Sequence, residues 1–233
     1  MITRAQAADA RKLRVRSQAD RPQQRTAGEF ANSPRGWVPP VLSTMHAERA
    51  AAGSKNPDTA RFEGYASVTG KPYRMFDMFG EYDEVVESGA FEQTLAREDL
   101  HNPLVLGHDP MRRIALTGIT TSPLELSEDE NGLRTVAPTL QLRDPDTAYI
   151  VPKLELGLID EMSFRFTIEA GRWNDEFTRY TIQRVDIHRG DTSIVGYGAN
   201  PNTVGAGLRS QPKGTSASAR ALLALSRADD IRR

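Results

Sequence analysis

No cysteine occurs among the 233 residues. That excludes a disulfide framework, a thiolate nucleophile and any cysteine-built zinc or iron–sulfur site. Long apolar runs are missing too: nothing approaches the roughly 18 apolar residues of a membrane span. The basic residues near the start, Arg4, Arg11, Lys12 and Arg14, have no apolar segment behind them, so this is not the pattern of a secretory leader. Histidine is scarce. His46, His101, His108 and His188 are the whole supply, which leaves little for a multi-histidine metal site. Aromatics make up 7% of the chain and mean hydropathy is -0.52, so part of the chain is expected to lie outside any packed core. There is no P-loop, no H-E-x-x-H, no strand-linked G-x-G-x-x-G and no G-x-S-x-G elbow.

What is present is an uneven charge layout beneath a net charge of -1. Residues 1–60 carry ten Lys/Arg against five Asp/Glu, residues 61–205 fourteen against twenty-four, and residues 206–233 six against two. An acidic middle therefore sits between two basic ends. The first 60 residues open with a short helix-compatible stretch and continue into Pro-, Gly- and polar-rich sequence. Such sequence buries too little surface to offset its ordering entropy. Trp37, Val38, Val41 and Leu42 are the only apolar cluster there, read as a linker with a few sticky residues. The expected organisation is a flexible basic N-terminal arm (1–60), a folded domain (61–205) and a basic C-terminal tail (206–233). A basic arm alone binds phosphate only weakly, and the acidic middle argues against specific nucleic-acid binding.

Within the middle, Phe62–Thr69 and Pro103–Asp109 predict strands. Val85 onward predicts a short strand entering a helix capped by Ser88. Asn131-Gly132 predicts a hairpin turn. Residues 144–160 predict a helix with Pro145 in its first turn and Gly157 at its end, although Pro152 removes one helix hydrogen bond. Residues 162–170 alternate: Met162, Phe164, Phe166 and Ile168 face one way, and Ser163, Arg165, Thr167 and Glu169 the other. Two further strand-like runs follow. About seven strands and two helices imply an α+β, mainly β domain, a small partly closed barrel with flanking helices.

Three features can carry chemistry. His108 ends the apolar run Leu104-Val105-Leu106-Gly107, so a rigid element presents a group able to take and return a proton. Ser163 is a small hydroxyl in mid-strand, a nucleophile only if a base activates it. Asp186, His188 and Asp191 lie in one stretch, and each is able to orient a histidine base. Taken singly, each has a plainer explanation: a structural histidine, a serine filling a tight spot, and turn residues.

The ordered combination resembles the prohead (procapsid maturation) proteases of tailed phages, which are related in fold to the herpesvirus assemblins. The resemblance rests on Phe62-Glu63-Gly64-Tyr65-Ala66-Ser67-Val68, Val86-Glu87-Ser88-Gly89-Ala90-Phe91 with Thr94-Leu95, and Leu104 to Pro110. It continues through Glu130-Asn131-Gly132-Leu133, Leu154 to Leu158 and Met162-Ser163-Phe164-Arg165-Phe166. Asp191-Thr192-Ser193-Ile194-Val195 and Ala199-Asn200-Pro201 complete a span of about residues 62–202. It implies a serine endopeptidase with His108 as general base, Ser163 as nucleophile and Asp191 as third member, Asp186 and His188 staying as alternatives. It implies no cofactor or metal. Expected partners are the major capsid protein precursor and scaffold segments inside the procapsid shell, in the host cytoplasm, with no membrane; self-cleavage in the arms and self-association are also in keeping with it. The family's small residue two positions after the serine is Arg165 here. A non-enzymatic internal scaffold with a degenerate site is the competing expectation.

Overall fold

A computed structural model of the chain describes residues 2–26, 46–50 and 58–200. The fold is α+β, with two open sheets. The first holds β1 (His46–Arg49), β2 (Thr59–Val68), β7 (Glu125–Glu128) and β8 (Gly132–Gln141), antiparallel throughout and ordered β1-β2-β8-β7. The second holds β3 (Tyr73–Asp77), β4 (Gly80–Val86), β5 (Pro103–Leu106), β6 (Asp109–Leu116), β9 (Glu161–Trp173) and β10 (Arg179–Val195).

β10, 17 residues long, organises the second sheet. A strand has two hydrogen-bonding edges. β9 pairs antiparallel along one of them, from Tyr180 to Val195. The other is shared by β4 near Arg179–Ile182 and β5 near Thr192–Ile194, both parallel to β10. β3 and β6 continue outward as antiparallel partners of β4 and β5.

The partly closed barrel expected from the sequence does not form. A barrel needs a ladder that returns to its starting strand. Among the described residues the ladders end at β1 and β7 in one sheet and at β3, β6 and β9 in the other. The cause is the division of one β10 edge between two shorter hairpins, which splits the sheet instead of carrying it round. The sheets pack against each other, with β2 beside β9, and share one core that includes Phe62, Ala66, Leu104, Leu133, Met162 and Ile194.

Local signals mostly act as their chemistry dictates. Helix α3 (Pro145–Glu155) is capped by Asp144, whose carboxylate accepts the Thr147 N–H at 2.8 Å, and it ends at Gly157 with φ 65°. The β7–β8 turn forms around Asp129, whose Oδ1 accepts the N–H groups of Asn131 at 2.8 Å and Gly132 at 3.3 Å. Ser88 does not cap a helix. The helix that follows, α2 (Glu92–Leu95), begins after Phe91, and the preceding turn is held across the sheets by Glu128. The Glu128 carboxylate accepts the N–H groups of Gly89 at 2.8 Å and Phe91 at 3.1 Å.

Residues 2–26 do not stand off as an arm. Helix α1 (Arg4–Arg14) starts with a Thr3/Gln6 capping box and buries Ala7, Ala8 and Arg11. The Arg11 guanidinium is sealed between Tyr82 and Trp173, its carbon about 5.2 and 5.1 Å from their ring centres, and it grips Asp77 with bonds of 2.8 and 2.9 Å. Arg25 reaches the fully buried Glu84 at 2.6 Å. Thr26 exchanges two backbone hydrogen bonds with Phe76 and so covers the open edge of β3. The Trp37–Leu42 cluster and the tail 206–233 lie outside the described residues.

Candidate active site

The turn between β5 and β6 is two residues long, because Leu106 pairs with Asp109. Gly107 and His108 fill it with φ of 63° and 58°, the double positive φ of a type I′ hairpin. Glycine adopts that conformation freely; a histidine there must be held. The Gly107 N–H is taken by the Ile194 carbonyl at 2.9 Å and the His108 N–H by Ser193 Oγ at 2.9 Å.

The turn folds the histidine toward β10. His108 Nδ1 lies 2.6 Å from Asp191 Oδ1. The Asp191 side chain is only 4% exposed, whereas that of His108 is 30% exposed. An ionised carboxylate can only accept, so the proton of a neutral imidazole sits on Nδ1 and Nε2 is left as the basic nitrogen. Arg165 Nε lies 3.6 Å from the other Asp191 oxygen, and Arg165 Nη2 donates to the His108 carbonyl at 3.2 Å.

Ser163 enters through strand register. On β9 it faces Ser193 directly, as Arg165 faces Asp191. Directly opposed residues present their side chains on the same face of a sheet. Ser163, Arg165, Asp191 and Ser193 therefore share one face, and His108 bonds to three of them, Arg165, Asp191 and Ser193. On the other face Met162 and Ile168 are buried, and Phe164 stacks on Phe166 at 4.2 Å. The alternation read from the sequence is the one that forms. Ser163 is half-buried, and no hydrogen bond joins it to His108 among the described residues.

Asp186 and His188 lie elsewhere. Between Asp186↔Thr167 and Asp191↔Arg165 the register slips, with residues 187–190 of β10 opposing one residue of β9. Asp186 Oδ1 accepts the Thr94 hydroxyl at 2.9 Å and the His188 N–H at 2.8 Å, with Arg97 at 3.7 Å from its other oxygen. Burial pushes the Asp186 carboxyl up, but those bonds and Arg97 outweigh it and leave it below the usual carboxylate range. His188 Nδ1 accepts the His101 N–H at 3.2 Å. These groups pin the bulge and α2, and Asp191 is the acid bonded to His108.

Gly190 makes the bulge possible. A Cβ there would lie 2.0 Å from the Arg165 carbonyl oxygen. Gly190→Ala is expected to force β10 off β9 beside Asp191, lowering stability by about 1–3 kcal/mol and cleavage activity more than the stability loss accounts for. Thermal melts run beside a cleavage assay check this.

Among known protein families, residues 47–214 match the one described as Caudovirus prohead serine protease. The chain belongs to that family. No curated protein and no solved structure matches it. It is thus a serine-type endopeptidase of phage capsid maturation, acting on capsid and scaffold proteins in the setting of procapsid assembly. The matched span opens within β1, so the docked segment carrying Arg11 and Arg25 precedes it. Among the described residues, no group of three or more His, Asp or Glu could hold a metal ion. Sequence reasoning passed over Ser193 at this site. The available signal was its place two residues after Asp191 on the same strand, hence on the same face.

Proposed function

We propose that this prohead protease cleaves peptide bonds with Ser163 as nucleophile, His108 as general base and Asp191 as the acid that orients the base. The observation that carries the reading is the 2.6 Å contact between His108 Nδ1 and Asp191 Oδ1, beside a strand face that bears Ser163. Ser163 Oγ attacks the scissile carbonyl as His108 Nε2 takes its proton. Asp191 stabilises the imidazolium, which then protonates the leaving amine. Water, deprotonated by the same histidine, releases the acyl group and restores the serine.

The finer substrates we propose are amino- or carboxy-terminal extensions of the capsid-protein precursor and scaffold segments, cut inside the procapsid, together with the protease's own ends. The folding unit is the acidic core, residues 61–205, together with residues 2–26 docked on it. Docked backbone resists proteolysis, so self-cleavage within the first 60 residues is expected beyond Thr26, and a further cut is expected in 206–233.

Co-expression with the capsid-protein precursor tests the assignment. The size shift seen with the unaltered protease should persist in Asp186→Asn and His188→Gln. It should vanish in His108→Ala and slow by about 10³- to 10⁴-fold in Asp191→Asn, which leaves the wrong tautomer in place. Undiminished processing by Asp191→Asn, with loss in Asp186→Asn, would reassign the acid.

A further inference from the structure

We infer that Ser193 and Arg165 act together as positioning residues, a two-point clamp that holds the base in its left-handed turn and ties it to the strand bearing the nucleophile. The inference rests on the catalytic reading above and concerns how that site is kept in order.

The two peptide groups flanking the His108 Cα are gripped from different strands. On the N-terminal side, the His108 N–H is held at 2.9 Å by the hydroxyl of Ser193, a residue 0% exposed on β10. That hydroxyl has its own outlet for a proton, with the Val105 and Ile194 carbonyls each at 3.4 Å. On the C-terminal side, the His108 carbonyl accepts from Arg165 Nη2 at 3.2 Å. Arg165 sits on β9, two residues from Ser163, and its Nε also lies 3.6 Å from Asp191.

This arrangement answers a difficulty built into the turn. At φ 58° a histidine is in a region where a side chain is disfavoured, and a free two-residue loop would let it relax. Rotation about the backbone there would swing the imidazole away from Asp191. The buried hydroxyl fixes one peptide plane and the guanidinium the other. Because Arg165 and Ser163 share β9, any shift of that strand carries the nucleophile and the restraint on the base together. A short residue at 165 would leave the second peptide plane unheld, so the arginine in this chain has a geometric role.

The test uses full-length protease with purified capsid-protein precursor as substrate, and amide hydrogen exchange of His108 as a readout independent of turnover. Ser193→Ala should speed His108 amide exchange at least about tenfold. It should also lower kcat by about 10- to 100-fold, KM staying within about twofold, as for a misplaced catalytic group. Ser193→Thr keeps the hydroxyl and should restore both. Arg165→Gln, at a side chain 57% exposed, threatens folding little and should lower kcat in the same way, whereas Arg165→Lys should recover only part of it. Unchanged exchange and kcat in Ser193→Ala and Arg165→Gln would overturn the clamp. So would a rise in KM at constant kcat, which would make Arg165 a substrate contact. If Ser163→Ala still cleaved the precursor, the catalytic reading would fail, and the exchange measurements would still judge the clamp.

Discussion

Ser163→Ala should yield a folded protein that leaves its substrates uncut. The hydroxyl removed is the one that the proposed mechanism requires to form the acyl intermediate, and the chain has no thiol to replace it. Cleavage of purified capsid-protein precursor should fall by about 10³-fold or more. Stability should barely change. Ser163 is half-buried, and its hydroxyl has no hydrogen-bond partner among the described residues to strand, so thermal unfolding should shift by no more than about 0.5 kcal/mol. Nucleophile and base act as one unit, so Ser163→Ala combined with His108→Ala should be scarcely slower than either alone. A Ser163→Ala protein that processes precursor at the normal rate would remove Ser163 from the mechanism.

The second large effect concerns folding. Arg11→Ala should destabilise the protease by about 3–5 kcal/mol, the usual consequence of leaving one member of a buried ion pair without its partner. Arg11 and Asp77 have side chains 0% and 1% exposed. Loss of the guanidinium strips Asp77 of two bonds and the carbonyls of Gly80, Glu81 and Phe177 of a donor each. It also empties the space between Tyr82 and Trp173. Out of a typical total of about 5–15 kcal/mol, that loss would bring the protein close to its unfolding threshold. Adding Asp77→Asn to Arg11→Ala should recover part of it, because the uncompensated charge is then gone. Denaturant titration of the four proteins closes the cycle. A loss below about 1 kcal/mol in Arg11→Ala would show that the docked helix contributes little to stability.

Much of the site could be read along the chain because the decisive relations were local. Alternation over residues 162–170 put Ser163 and Arg165 on one face, and the geometry follows from strand pleat alone. His108 at the end of a short apolar run, next to glycine, already marked a turn. The choice among Asp186, His188 and Asp191 was not readable, since four residues bulge out between the first and the last. Only the pairing of β5 with β10, which brings His108 Nδ1 to 2.6 Å from Asp191 Oδ1, shows which acid stays beside the histidine.

The sequence by itself determined that a protease acting here by covalent catalysis must use a hydroxyl in place of a thiol, that an acidic middle lies between basic ends, and which short segments become strands, turns and α3. These depend on residue type, on periods of two or 3.6, and on caps within a few positions. Tertiary structure alone decided that the sheets stay open, since that turns on two hairpins sharing one edge of β10. It alone docked residues 2–26, whose half-buried Arg25 and buried Arg11 meet their carboxylates 59 and 66 residues further on. Contacts between residues so far apart leave no periodic trace in a single chain, and a buried arginine reads as a solvated one until its partner is in place.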